Sequence, residues 1–284
     1  MCLVQPRTAN PKFFGLYRIL AEHHVQFDVL REDLVDPERL RRYAAVVLPD
    51  PRLSVGTDRP VLTTGATGAD VDAHVQGAYF AIRPDDRPDD RKQLTGLDNL
   101  DLVYLYGRFA PYEGEGEGFL AYIPPHMFGP PEKCYHTEVS DTPGLVRTPS
   151  GDVVIPWNVG THYQSYAYDG HARLVMAALR DLLGLKPRLT TDAPATVEVV
   201  ARDNPGAGAL LVSLVNLTGQ SGTAFHAPVP VRDIRVALTT DHTPLRAHAL
   251  RAGVDIPLSA HDGTLSLTLP ELALFETVVV EYRE

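Results

Sequence analysis

Cysteine is nearly absent from this sequence: Cys2 and Cys134 are the only two in 284 residues. Two thiols cannot build a disulfide framework or a four-thiolate zinc site, and such sparse use fits a reducing compartment. Tryptophan occurs once, at Trp157, and methionine three times. Positive charge is also in deficit, since 26 Lys and Arg face 36 Asp and Glu and leave a formal charge of −10. That balance lacks the positive field that a phosphate backbone demands, so no nucleic acid partner is expected. No run reaches the roughly 18 apolar residues of a membrane span. The opening segment MCLVQPRTANPKFF lacks the apolar core of about 7–15 residues that marks a secretory signal. The expectation is a soluble cytoplasmic protein with no membrane partner.

What is present is an ordinary globular composition, 44% hydrophobic and 22% charged. A chain of this length predicts about two domains of roughly 150 residues, burying about three quarters of the unfolded surface. The first sixty-odd residues alternate strand and helix signals. Cys2–Gln5 reads as a strand, and Asn10-Pro11 then offers a cap and a first-turn proline before Phe13, Phe14, Tyr17 and Leu20 at helical spacing. Phe27–Leu30 is a second strand, Asp36-Pro37 opens a short basic helix, and Ala45–Leu48 is a third strand stopped by Pro49. This alternation predicts a parallel sheet. Val61–Thr64 follows as a fourth strand, yet Asp50–Arg59 carries no helix signal where a parallel crossover normally has one. Further strands are predicted at Leu102–Tyr106, Gly118–Ile123 and Val153–Pro156, and a helix at about His171–Leu183.

After Pro187 the period changes. Leu210–Leu217, Ile234–Thr239 and the alternating Leu265, Leu267 and Leu269 are short strands separated by turn clusters, the pattern of a small antiparallel sandwich. The predicted fold is α/β: a flavodoxin-like parallel-sheet domain over 1–187, then an antiparallel β-sandwich domain over 188–284.

Motifs for covalent chemistry are missing. No G-x-S-x-G or G-x-C-x-G nucleophile elbow occurs. Cys134 stands two residues from His136, which reads as a half-buried loop cysteine rather than an activated thiol. Gly65-Ala66-Thr67-Gly68 lacks the third glycine of a dinucleotide fingerprint and the Lys-Ser/Thr of a phosphate loop, so it reads as a turn. His23, His24, His126, His136, His162 and His171 show no ligand pairing of the H-E-x-x-H kind, so neither a metal nor a cofactor is expected. Glu113, Glu115 and Glu117, with glycines between them, read as a solvated hairpin end.

The most informative stretch runs from His126 to Tyr168. It gathers His126, Lys133, Trp157, Asn158 and Tyr163, with Tyr166 and Tyr168 beyond, a mix of apolar ring faces and hydrogen-bond donors suited to a sugar. These five are the candidate substrate-binding residues; aromatic packing beneath long loops is the competing reading. Glu132, Glu138 and Asp141 are weak catalytic candidates, since an acid and a base about 5–9.5 Å apart would suit glycoside hydrolysis.

Six stretches in order, Phe14-Gly15-Leu16-Tyr17-Arg18, Phe27-Asp28-Val29-Leu30, Tyr43 to Pro49, Thr63 to Gly68, Pro130-Pro131-Glu132-Lys133 and Pro156-Trp157-Asn158-Val159-Gly160, carry a resemblance. The chain resembles the β-galactosidase trimerisation domain, a class I glutamine-amidotransferase-like fold that follows the catalytic barrel in glycoside hydrolases. Leu211 to Thr218 and Leu274 to Val280 are similar to the β-sandwich behind it. The resemblance implies an accessory, oligomerising role in carbohydrate metabolism, with the catalytic carboxylates on a barrel that this sequence does not contain. No catalytic residue is carried over. Expected partners are therefore carbohydrate, further copies of the chain as a trimer or dimer, and a separate catalytic barrel chain. The alternative is a stand-alone glycoside hydrolase or carbohydrate-binding protein that uses the 126–168 loops. The absent helix at Asp50–Arg59 further predicts a shortened sheet with an exposed edge between Pro49 and Pro60.

Overall fold

The computed structural model describes residues 1–65, 71–81, 93–97, 100, 102–124 and 139–283, with the backbone alone for 71–81 and 106–108. The chain divides into two units, Met1–Ile19 with Phe27–Lys186, and Leu20–Gln26 with Pro187–Glu284.

In the first unit β1 (Cys2–Gln5) leads to α1 (Pro11–Glu22), β2 (Asp28–Arg31), the single turn α2 (Pro37–Leu40), β3 (Val46–Leu48) and β4 (Val61–Thr64). Both cap-plus-proline signals start helices. Asn10 Oδ1 accepts from the Phe13 N–H at 3.2 Å, and Asp36 Oδ1 from the Arg39 N–H at 2.9 Å. Then come β5 (Val71–Ala81), β6 (Leu102–Phe109), β7 (Glu117–Ile123), β8 (Pro143–Arg147) and β9 (Val153–Ile155). Helices α3 (Val159–Tyr166) and α4 (Asp169–Ala177) follow, α4 running on through a π-helical turn at Ala178–Leu182.

These strands form one sheet in the order β2-β1-β3-β4-β9-β8-β7-β5-β6. Neighbours from β2 to β9 are parallel, as the alternation predicts. From β9 to β6 they are antiparallel. The sheet is therefore mixed, and the antiparallel half was only partly visible in the sequence. The expected edge between Pro49 and Pro60 is corrected: β4 lies inside the sheet, paired with β3 on one side and β9 on the other. No helix joins β3 to β4. Leu53 and Val55 of the linking segment instead pack on the cluster of Cys2, Val4, Leu40, Tyr43, Val46 and Leu48, covering the face that a crossover helix would cover.

Helices α1 and α3 meet backbone to backbone. A Cβ built on Gly15 would stand 1.7 Å from the Gly160 carbonyl oxygen, and one on Gly160 would stand 2.2 Å from the Lys12 carbonyl oxygen. Only paired glycines admit that approach.

The second unit holds β10 (Leu189–Thr191), β11 (Val197–Asn204), β12 (Ala209–Asn216), the two-residue partners β13 (Gln220–Ser221) and β14 (Ala224–Phe225), β15 (Val231–Thr239), β16 (Thr243–Ala249), β17 (Val254–Ile256), β18 (Leu258–His261), β19 (Thr264–Leu272) and β20 (Phe275–Arg283). Two antiparallel sheets result, β10-β15-β19-β18 and β11-β12-β20-β16-β17. Their inward residues, among them Val212, Leu214, Val236, Leu265, Leu267, Leu269, Val278 and Val280, make a single apolar core of the sandwich kind.

Polar groups finish the edges of this core. Gln26 works as a one-residue partner for edge strand β11: its amide donates to Val199 O at 2.9 Å while its oxygen accepts from the Ala201 N–H at 2.8 Å. Buried Asn216 donates to the carbonyls of Val229 and Ala273, both at 2.8 Å, and accepts from Thr218. Buried Glu276 accepts N–H groups of Arg251 at 2.8 Å, Ala252 at 2.9 Å and Thr277 at 2.8 Å, holding the turn after β16.

Two substitutions test this reading by urea denaturation. Gly15→Ala, which in an open helix would gain up to about 1 kcal/mol, is expected to lose about 3 kcal/mol from the steric clash; an unchanged or raised midpoint would mean that the helices do not touch here. Glu276→Gln places an amide NH₂ against backbone N–H groups and is expected to cost about 2 kcal/mol.

Candidate functional site

In an open α/β sheet, ligands gather outside the carboxyl ends of the parallel strands. Here those ends bring together Asp50 just after β3, Gly65 just after β4 and Asn158 just after β9, with Lys12 from the first turn of α1. Gly65 is the meeting point. Its φ of +109° suits glycine, and a Cβ there would lie 2.8 Å from Pro51 Cδ, 3.3 Å from Asn158 Oδ1 and 3.6 Å from Lys12 Nζ. The Gly65 N–H donates to the Ile155 and Trp157 carbonyls, both at 3.0 Å, which ties β4 to the turn after β9.

Asp50 is 4% exposed and fully engaged. Arg52 donates to it through Nε at 2.9 Å, Nη2 at 2.8 Å and its backbone N–H at 3.0 Å, and Lys12 Nζ donates at 2.8 Å. The Arg52 guanidinium, aided by Lys12, holds the carboxyl far below the usual carboxylate range against the opposing effect of burial. A carboxylate locked in its charged form cannot act as a general acid near neutral pH. Cys2 Sγ is equally unsuited to nucleophilic work, because burial pushes its thiol up to about 11. Asn158 Oδ1 is buried with no hydrogen-bond partner among the described residues.

Behind this edge stands an aromatic cluster. Trp157 has no solvent exposure, and its indole N–H donates to Gly144 O at 3.0 Å. Its ring meets those of His162 and His171 edge-on at 5.6 and 5.4 Å, and the two imidazoles lie 5.4 Å apart. His171 Nε2 donates to Tyr104 O at 2.6 Å, while Nδ1 of His162 and of His171 is buried without a partner among the described residues. Burial, then the neighbouring His171, lowers His162 to about 4; burial also lowers His171.

Of the sequence-predicted residues, the structure brings Trp157, Asn158 and Tyr163 together at the β9–α3 junction. Trp157 and Tyr163 are buried, Tyr163 beneath the Arg18 guanidinium at 5.3 Å, so neither ring offers a face to a sugar in this conformation. Both pack within the first unit, the arrangement that the sequence reading set beside a binding one. Asp141 is exposed on the approach to β8. His126, Glu132, Lys133, Glu138, Cys134, His136 and the stretch Ala66 to Gly68 lie outside the described residues. Among the described residues no group of three His, Cys, Asp or Glu is placed to hold a metal. Glu117, third of the acidic series, pairs with Arg147 and accepts from Gln93 at 2.9 Å. Sequence reasoning missed Lys12, Asp50 and Arg52, whose one available signal was a carboxylate directly after a parallel strand.

The histidine pair dictates a pH dependence. A histidine near 6.5 when unfolded and about 4 when folded binds its proton more readily in the unfolded chain. Stability is therefore complete above about pH 6.5 and declines as pH falls towards 4, by roughly 3 kcal/mol for His162 at 1.36 kcal/mol per unit. Urea midpoints across that window should fall in the unmodified protein and fall much less in His162→Phe. That comparison also sets aside half-buried His24, which is lowered in the same sense.

No protein-family model matches the chain, and no curated protein matches it. Among solved structures, all of this chain aligns with 48% of the α-L-fucosidase isoenzyme 2 of Paenibacillus thiaminolyticus, at 19% identity and a TM-score of 0.75. The chain thus spans about half the length of that enzyme. The GH42 β-galactosidase Gan42B of G. stearothermophilus aligns over 40% of its length with 99% of this chain, at 13% identity and a TM-score of 0.47. The first likeness establishes a shared fold; the second is too loose to carry an argument. No helix of the described residues is long and apolar enough to cross a membrane. Over its whole length this chain shares the fold of about half of that fucosidase.

Proposed function

We propose that this chain is a non-catalytic accessory portion of a glycoside hydrolase-like assembly in carbohydrate metabolism. Its amidotransferase-like first unit would serve self-association, as in the β-galactosidase trimerisation domain that its motifs resemble. The observation that carries this reading is the state of the strand ends. Where an α/β enzyme of this kind would hold reactive groups, Asp50, the one buried carboxylate among the described residues at these strand ends, is spent on Arg52 and Lys12, and Gly65 occupies the turn after β4. The full-length fold likeness to about half of a fucosidase supports it. The partners proposed are further copies of this chain in the cytoplasm and a separate catalytic barrel; with the β3–β4 edge covered, self-association rests on the resemblance alone. His126, Lys133 and Asn158 are proposed as sugar-binding groups, and Glu132, Glu138 and Asp141 as the catalytic candidates of the alternative, a stand-alone glycoside hydrolase.

The test is turnover of nitrophenyl α-L-fucoside, β-D-galactoside and related glycosides by the purified chain. No release above the buffer rate is expected. Release proportional to protein concentration and abolished by Glu132→Gln or Asp141→Asn would overturn the accessory reading. Sedimentation equilibrium is expected to give a multiple of 31.1 kDa; a single species at that mass would remove the self-association.

A further inference from the structure

Tyr166 ends α3 and Tyr168 precedes α4, and their rings stack at 5.4 Å with planes only 16° apart. The two remain 50% and 44% exposed. Ala167 between them sits at φ 51°, ψ 40°, a left-handed conformation that side chains other than glycine rarely adopt. Its N–H closes the helix on Tyr163 O at 2.9 Å. The strained residue turns the chain so that rings two positions apart lie on one another. The stack is also braced from behind, with Tyr168 edge-on to Tyr104 of β6 at 5.7 Å and to His171 at 5.5 Å. A rigid, exposed aromatic pair held at a conformational cost is unusual for a surface that only faces water.

We propose that the Tyr166–Tyr168 stack is a platform for a sugar ring, the free face of Tyr166 taking the C–H face of a pyranose within an oligosaccharide. Size separates this occupant from a protein. A fully covered tyrosine buries about 150–250 Å², so two half-exposed rings offer roughly 200 Å², far short of the about 800 Å² per partner of a stable interface. Leu102, two residues from Tyr104 along β6 and 40% exposed, leaves that sum well below the need. One pyranose face has the matching extent. Its rim hydroxyls find phenolic oxygens and the adjacent Asp169, whose side chain is 75% exposed and stands 3.6 Å from Arg173. The proposal rests on the carbohydrate reading above for its choice of ligand class, and it moves the contact from buried Trp157 and Tyr163 to Tyr166.

The test is calorimetric titration of the full chain with cellohexaose, maltoheptaose and fucosyllactose. At least one should bind with a Kd at or below about 10 mM. Tyr166→Ala should weaken it by about tenfold or more and Tyr166→Phe, which keeps the face, by no more than about threefold, with unchanged thermal midpoints. In the unmodified chain the ring resonances of Tyr166 and Tyr168 should shift on titration by NMR, a readout that stands even if a variant fails to fold. Binding by none of the three sugars, binding undiminished in Tyr166→Ala, or shifts confined to other tyrosines would each overturn the platform. Glycoside turnover is read separately: its presence would sink the accessory role and leave the platform standing, whereas silent titrations with no turnover would sink the platform alone.

Discussion

The backbone contact between Gly15 and Gly160 is the constraint on which the arrangement of the first unit depends. Two side-chain-free positions let α1 and α3 touch at carbonyl distance over the parallel strands. Because Lys12 lies one turn before Gly15 and Asn158 two residues before Gly160, the same contact sets both beside Gly65. Packing at this density is not adjustable in small steps. The ion cluster at the strand ends is thus a product of helix packing as much as of charge.

Buried polar groups then pin each unit in place. Asp50 joins the end of β3 to the start of α1 through Lys12. The Trp157 indole and His171 imidazole each reach a main-chain carbonyl across the sheet. In the second unit buried Tyr282 donates its hydroxyl to Asp203 at 2.7 Å, and its ring stacks on that of half-buried His242 at 3.6 Å. Each such group costs free energy unless its partners are in position, so together they select one arrangement among many compact ones. Of the buried atoms without a partner among the described residues, Asn158 Oδ1 and His162 Nδ1 lie at the start of α3 and His171 Nδ1 on α4 beside His162.

Signals in the sequence are legible where the physics is local. Asn10-Pro11 and Asp36-Pro37 start helices because a side-chain oxygen and a fixed φ act within one turn. Leu265, Leu267 and Leu269 all face the sandwich core, because alternation is a property of any extended chain. The antiparallel half of the first sheet was harder to see, since β8 opens with Pro143 and β5 pairs far along the chain with β6 and β7. The β3–β4 link misled for a similar reason: Leu53 and Val55 replace a helix by packing, which carries no helical period.

The sequence by itself determined the α/β character, the helix starts, the change to a sandwich after Pro187 and the lack of a nucleophile motif. Each of these follows from propensity, period or composition over a few neighbours. Only the tertiary structure decided that Trp157 and Tyr163 are core and that Tyr166 and Tyr168 are surface. All four are aromatic residues within one short stretch, and composition does not separate them: Trp157 is covered just before α3 and Tyr163 within it, whereas Tyr166 and Tyr168 flank the turn at its end. It also decided that Asp50 is held ionised in an ion pair, because Lys12 is 38 positions away in sequence and 2.8 Å away in space.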